Sequence, residues 1–350
     1  MIDYKGKLVL APMVRVSELP LRKLSLKYGA DLVWGPEIVD KRLIASRRIW
    51  NEKLHTFDYV NQKNHQNLTW RVSPSLEKDR VVFQLGSADP QLAVEAAKIV
   101  APDVAAIDLN CGCPKPFSTH ADMGSRLLYV PDKLVSILTH LVKEVGTPWG
   151  IPISAKIRIL PEEQPTYDLV RRIATTGISH LTVHCRTPTM RPREPAQFEY
   201  LPEIIRICHE AGITCYLNGD VHSRKHFDEL QKKYDIDGAM IARAAQDNPS
   251  CFGTDEPVPI LQICREFLDA CMEYDFVAPH AKYNLMNFVD GKSALYAKFA
   301  RSKSLAALDE SLQEQETASS ESEDEPPVKS RKRVAEFTQP APKRTSVETN

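Results

Sequence analysis

Ala105-Ala106-Ile107-Asp108-Leu109-Asn110 runs into Cys111-Gly112-Cys113-Pro114-Lys115, and this junction decides how the chain is read. A nearly apolar run stops at a glycine, a thiol and a proline. Glycine supplies backbone freedom and proline removes it. That frame holds one side chain, Cys113, at the exposed end of a buried strand.

The same pattern recurs along the chain. Short apolar runs begin at Leu8, Asp31, Val81, Ile153, His180, Thr214 and Gly238, which with the cysteine run makes eight. Such runs suit parallel strands covered on both faces. Helical periodicity fills most gaps: Leu92, Ala96 and Ile99; Leu134, Ile137, Leu138, Leu141 and Val142; Leu169, Val170, Ile173 and Ala174; Ile204, Ile205, Ile207 and Cys208. Eight strands alternating with helices over about 240 residues predict an α/β fold, a TIM (β/α)8 barrel. A doubly wound sheet competes, but it would more often carry a glycine-rich fingerprint after its first strand, and none is present. Met13, Gln84, Cys113, Lys156, His184, Asn218, Asp220 and Arg243 all fall in or just after the runs. Barrel active sites are built at those strand ends.

Three segments depart from the barrel pattern. Residues 47–80 alternate around Leu54 to Val60 and predict an extra hairpin. The barrel is expected over 1–256. Residues 257–308 read as a small helical domain with Ile260, Ile263, Cys264, Phe267, Leu268 and Cys271 on one face. Residues 309–350 turn Glu/Asp/Ser-rich and then Lys/Arg/Pro-rich, a composition expected to be disordered. Its acidic serine cluster (319–325) and basic cluster (329–333) leave two readings open, a solvated tail and a nuclear import signal.

Composition excludes several classes. The chain has 350 residues, 43% of them hydrophobic, enough for a sizeable core, and its net charge of −1 advertises no bulk affinity for nucleic acid. The eight cysteines are scattered, which with no signal peptide predicts a reducing compartment, cytoplasm or nucleus. Cys111 and Cys113 have no second pair to complete a zinc site, so no metal is expected. No run approaches a membrane span.

Leu109-Asn110-Cys111-Gly112-Cys113-Pro114 resembles the Asn-x-Gly-Cys-Pro signature of the tRNA-dihydrouridine synthases. Ala11-Pro12-Met13, Ala155-Lys156-Ile157-Arg158, His184-Cys185-Arg186-Thr187, Asn218-Gly219-Asp220 and Met240-Ile241-Ala242-Arg243 match that family in order and spacing. Cys113-Pro114-Lys115 with Phe117-Ser118-Thr119 and Met123-Gly124 is most similar to the eukaryotic class acting on uridine 20. The resemblance covers roughly residues 5–300. Two departures stand out. Cys185 replaces the usual glycine of His-Gly-Arg-Thr, and no double-stranded-RNA-binding domain follows, as it does in animal members.

The resemblance implies reduction of the uracil 5,6 double bond in tRNA, with FMN as hydride carrier and NADPH or NADH as reductant. It leaves mRNA open as a second substrate and implies neither a membrane nor an obligate protein partner. Cys113 would deliver the proton to C5 as a neutral thiol, unlike a nucleophilic cysteine; its plain alternative is a structural cysteine. Lys156 would stand near the flavin N1 and C2 carbonyl, unless it snorkels out of the barrel. His184 would contact flavin or substrate, unless it only caps its strand. Gln84 suits the polar edge of the flavin ring, and Pro12, Met13 and Val14 would pack beside it. Asn218, Gly219, Asp220, Ala242 and Arg243 follow the last two runs, where barrels bind phosphate, although an ordinary turn also favours Asn-Gly-Asp. Asn110, Lys115 and Arg186 are the candidate substrate residues, with Arg191 and Arg193 in the same loop as Arg186; a solvated loop is the alternative. Another FMN barrel such as a dihydroorotate dehydrogenase, and a catalytically dead RNA-binding protein, are the competing functions.

Overall fold

Each of the eight runs forms a strand in the computed structural model, which describes residues 2–64, 67–254 and 256–321. The barrel strands are β1 (Lys7–Leu10), β2 (Leu32–Trp34), β3 (Val81–Gly86), β4 (Ala106–Cys111), β5 (Ile153–Arg158), β6 (His180–His184), β7 (Thr214–Asn218) and β8 (Gly238–Ile241). All pair in parallel. β1 pairs with β8 through Leu8↔Ala239, and β2 with β3 through Val33↔Val81, so the sheet closes. The architecture is a TIM barrel.

Side chains alternate across each strand. Leu8, Leu10, Phe83, Leu85, Ile107, Leu109, Ile157, Leu181, Val183 and Leu217 point outward and form one continuous core with the helices. Val9, Trp34, Val82, Ala106, Tyr216 and Met240 fill the interior. The inward row continues towards the C-terminal mouth as Gln84, Asn110, Lys156, Arg158, His184 and Asn218. Register fixes them as neighbours: Asn110 lies opposite Lys156, and His184 opposite both Arg158 and Asn218. The parity that buries leucine outside thus sets polar groups inside.

The structure differs from expectation in three places. The segment expected as a hairpin is a three-stranded antiparallel sheet, Ser46–Asn51, Thr56–Asn61 and Leu68–Val72. Its third strand also alternates, and it buries Trp70 and Val72, with Trp70 edge-on to Phe83 at 4.9 Å. The helix Pro90–Val100 is rotated from the expected face. Ala93, Ala96, Ala97 and Val100 are fully buried while Leu92 and Ile99 are only half-buried, because the small alanines let the helix lie close to the barrel.

The third difference is at the C-terminus. Helices Ile260–Glu273, Ala278–Phe288, Ala294–Arg301 and Leu305–Glu321 follow the barrel. The last runs across residue 309, where disorder was expected to begin. It buries Leu308 and Leu312, and Arg265 binds both Asp309 and Glu316. An apolar residue every fourth position docks an otherwise polar helix, which composition alone conceals. The rest of the expected tail, 322–350, including both charge clusters of the import signal beyond residue 321, lies outside the described residues. No described helix is long and apolar enough to cross a membrane.

Candidate active site at the barrel mouth

The cysteine loop is tied down by the strand it leaves. Asn110 Oδ1 accepts from the backbone amides of Gly112 and Cys113, both at 3.0 Å. Its amide donates to Gln84 Oε1 at 3.2 Å, and Gln84 Nε2 donates to Asp108 at 2.8 Å. Ser154 Oγ donates to the other Asp108 oxygen at 2.7 Å. Asp108 is fully buried, and burial raises its pKa to about 6 against the pull of Gln84 and Ser154. Asn110 and Gln84, expected on substrate and flavin, are therefore also the struts of the Cys113 loop. Cys111 points outward, is fully buried and packs among the core residues.

Cys113 is half-buried. Burial, and next the charge of Glu37, push its thiol up to about 11. It is a protonated thiol at neutral pH, as a proton donor must be. Gly124, at φ +59, lets the chain fold back over it: Ser125 N–H donates to Cys113 O at 3.0 Å.

Beside this loop the interior is cationic. Lys156 donates from Nζ to Asn218 Oδ1 at 2.9 Å and forms no ion pair among the described residues. Burial, then the neighbouring Arg158, lower its pKa to about 8. Arg158 donates to Gly112 O and Thr187 O, both at 2.9 Å. Burial and then Lys156, Arg158, Arg186 and Arg243 hold His184 well below the usual histidine range. It is a neutral imidazole whose Nε2 accepts from Arg186 at 3.4 Å. Lys156 and His184 both face inward; neither snorkels out.

Asp220 organises the far wall. Arg186 grips both its oxygens at 2.5 and 2.6 Å, Arg243 binds it as well, and Ala196 N–H donates to it at 2.8 Å. Arg186 is only 3% exposed and its Nε is spent on Glu194 O. The expected substrate arginine is thus an internal strut. Arg191 and Arg193 of the same loop are exposed, as are Lys115 and, by half, Arg243. Asp220 presents a carboxylate already held by two arginines, so it fixes those cations rather than standing free for a ligand. Gly219, at φ +119, sits between Ala196, Arg186 and His184 with no room to spare: a Cβ would come 3.1 Å from Ala196 Cβ. Asn218 donates to Met240 O at 2.9 Å and joins β7 to β8. Ala242 is half-buried ahead of Arg243.

Pro12 and Met13 are half-buried and Val14 is 51% exposed in the loop after β1. Asn284, from the C-terminal helices, donates to Arg15 O at 2.9 Å and steadies this loop.

A family profile described as dihydrouridine synthase (Dus) matches residues 9–338. The chain belongs to the dihydrouridine synthase family. A "tRNA-dihydrouridine(20) synthase [NAD(P)+]" of Schizosaccharomyces pombe is 49% identical over 83% of this chain and 61% of its own length. The Saccharomyces cerevisiae protein of the same name is 46% identical over 87% of this chain and 82% of its own. The human "tRNA-dihydrouridine(20a/20b) synthase [NAD(P)+]-like" protein is 31% identical over 77% of this chain and 78% of its own. The chain thus spans about three fifths of the first of these relatives.

Within the dihydrouridine synthase family the chain shows why Cys185 can replace glycine. Its side chain faces the outer core and is fully buried, away from the mouth. Two groups at the site were not singled out from the sequence. Arg158 is two residues beyond Lys156, hence on the same face, and strand parity points to it. Glu37 follows Trp34-Gly35-Pro36 and obeys the same strand-end rule as the other candidates.

Proposed function

We propose that this chain reduces the 5,6 double bond of a uridine in tRNA, with position 20 as the target, using FMN reduced by NADPH or NADH. The observation that carries the reading is a half-buried thiol, kept neutral on a loop that Asn110 and Arg158 hold at the barrel mouth, with Lys156 and neutral His184 lining the same mouth. The names of the relatives at 46–49% identity support the position.

The residues fit a flavin phosphate and ring. Lys156 is a half-buried cation with no carboxylate partner, Gly219 carries no side chain into the mouth, and Arg243 is half-exposed there. Buried charge without a partner is costly, and an anionic ligand would relieve it. Lys156 and Gln84 would hold the polar edge of the ring, Arg243 and the Gly219 backbone the phosphate, and Pro12, Met13 and Val14 the ring face. When bound, FMN supplies the hydride for C6, which no side chain can supply.

The protein's own work is to bind, orient and protonate. Asn110 fixes the Cys113 loop, so the thiol is aimed by two backbone hydrogen bonds. Cys113 holds the proton destined for C5. Lys115, Arg191 and Arg193 are exposed cations for the RNA backbone. A base inside folded tRNA must be flipped out of its stack to reach this mouth. Lys282 and Lys298, also candidates for RNA contact, are partly committed: Lys282 caps Ala300 O and Ser302 O, and Lys298 pairs with Glu314 at 2.7 Å. Lys292, Arg301 and Lys303 are exposed.

The test is direct. Purified protein is expected to carry a flavin spectrum and, with NADPH and an unmodified tRNA transcript, to yield dihydrouridine at position 20 by mass-spectrometric mapping. Purified protein with no flavin affinity, or product at no uridine, would overturn the reading.

A further inference from the structure

The proposed function uses Cys113 but leaves Glu37 unexplained. Glu37 follows β2 and is 8% exposed. Its Oε1 accepts from Ser118 Oγ at 3.4 Å, while Oε2 is buried without a hydrogen-bond partner among the described residues. It makes no ion pair among the described residues. An anionic carboxyl is costly in such a place.

The surroundings are shaped to admit it. Gly86, at the end of β3, leaves space that a Cβ would close, coming 2.6 Å from Glu37 Oε1. A Cβ on Gly124 would overlap Ser118 Oγ and lie 2.5 Å from Cys113 O. Two bare backbones therefore let the carboxyl, the Ser118 hydroxyl and the Cys113 thiol crowd together under one loop. The titratable groups facing Glu37 are Cys113 and Cys111, both on β4 or its loop, and both are held as neutral thiols.

We propose that Glu37 and Cys113 form a two-residue proton donor, in which the thiol delivers the proton and the Glu37 carboxylic acid replaces it. This rests on the dihydrouridine reading above. The Cys113 S–H bond breaks as the C5–H bond forms, and the Glu37 O–H bond breaks as a new S–H bond forms. The O–H electron pair stays on the carboxylate. Neither residue is oxidised or reduced, and solvent returns the proton to Glu37 after product leaves. Burial raises Glu37 to about 7, whereas Cys113 stands at about 11. Of the two, the carboxyl is the group that can be left ionised at neutral pH. Glu37 touches no substrate atom in this scheme and acts through Cys113.

The experiment is single-turnover reduction of a tRNA transcript by enzyme whose flavin has been reduced beforehand, read by mass spectrometry from pH 5.5 to 9. The wild-type rate is expected to fall as pH rises through about 7, because Glu37 loses its proton there. Glu37→Gln should bind flavin and be reduced by NADPH at the wild-type rate, form product about tenfold or more slowly, and lose the pH 7 limb. Glu37→Asp, which keeps an acid, should retain the limb. A second readout needs no turnover: iodoacetamide should label Cys113 of Glu37→Gln at lower pH than wild type, since the neighbouring negative charge is gone. A Glu37→Gln enzyme with wild-type rate, pH profile and labelling overturns the proposal. So does a Glu37→Asp enzyme that loses the limb, since the carboxyl would then only fill space; that variant decides the matter if Glu37→Gln fails to fold. Wild type run in parallel separates the two readings: no dihydrouridine from wild type sinks the function, and normal wild-type product with indifferent variants sinks only the relay.

Discussion

Lys156 Nζ donates to Asn218 Oδ1 at 2.9 Å, a hydrogen bond that joins β5 to β7 across the barrel mouth. Asn218 in turn donates to Met240 O, so the lysine's position is transmitted to three strands. The arrangement orients a cation without neutralising it. An ordinary structural lysine would have found a carboxylate, and the buried one whose charge it feels, Asp108, is spent on Gln84 and Ser154.

Lys156→Met should therefore change the flavin more than the fold. A lost hydrogen bond to a charged group costs about 1.5–3 kcal/mol. For a two-electron couple about 30 mV corresponds to 1.4 kcal/mol, so the midpoint potential should become about 30–60 mV more negative. Spectroelectrochemistry checks this. An unchanged potential would remove Lys156 from contact with the reduced ring.

Cys113→Ala should leave the flavin bound and reducible by a nicotinamide, and abolish dihydrouridine. In the proposed reaction the thiol serves only the proton, and Asn110 holds the loop through backbone amides that the substitution keeps. Flavin reduction followed at its visible absorbance, and product counted by mass spectrometry, separate the two half-reactions. Full product formation by the variant would show that another group donates.

Gly124→Ala tests the loop rather than the thiol. At φ +59 a side chain is strained, and its Cβ would lie 2.5 Å from the Cys113 carbonyl. The backbone must shift, so activity is expected to fall while flavin content holds. Strain of about 1–2 kcal/mol at the turn should also appear as a lower Tm. Normal activity would mean that the loop position does not matter.

Asp108 makes a prediction about pH. Its folded pKa is raised from 3.8 to about 6, so it contributes stability that is fully present below its unfolded pKa and lost as pH rises through about 6. At 1.36 kcal/mol per unit the change is about 3 kcal/mol. Denaturant unfolding of wild type at pH 4 and pH 7.5 should show that loss, and Asp108→Asn should lack its share of it. Parallel pH profiles for the two proteins would show that Asp108 is not the group responsible.

The barrel was legible because its strands are short, apolar and covered on both faces, so each run stands out against amphipathic helices. The candidate site's placement was legible for a related reason: Gln84, Lys156, His184 and Asn218 are polar residues where parity points inward. Partners across the barrel were not. Arg186 and Asp220 are 34 residues apart, and nothing in either local pattern announces that one exhausts the other. Glu37 escaped because it sits in a loop without a matching motif, and the strand-end rule it obeys does not say that Cys113 is its neighbour in space. The third strand, Leu68–Val72, was hidden because its alternation spans five residues next to polar ones. Composition misjudged the last helix most clearly.

That helix yields the final prediction. Leu305–Glu321 reads as polar, yet Leu308 and Leu312 are 1% and 0% exposed, and Arg265 reaches across to Asp309 and Glu316. Removing everything after Leu308 would strip Leu312 and both carboxylates and leave Arg265 without those partners. Leu312→Ala alone should cost about 2–5 kcal/mol, the range for a buried leucine. Truncation after residue 308 should lower Tm by more than that single substitution, whereas truncation after residue 321 should not. Thermal unfolding of the three proteins, followed by circular dichroism and by flavin release, decides it. Equal melting of wild type and the shorter truncation would show that the helix adds nothing to the fold.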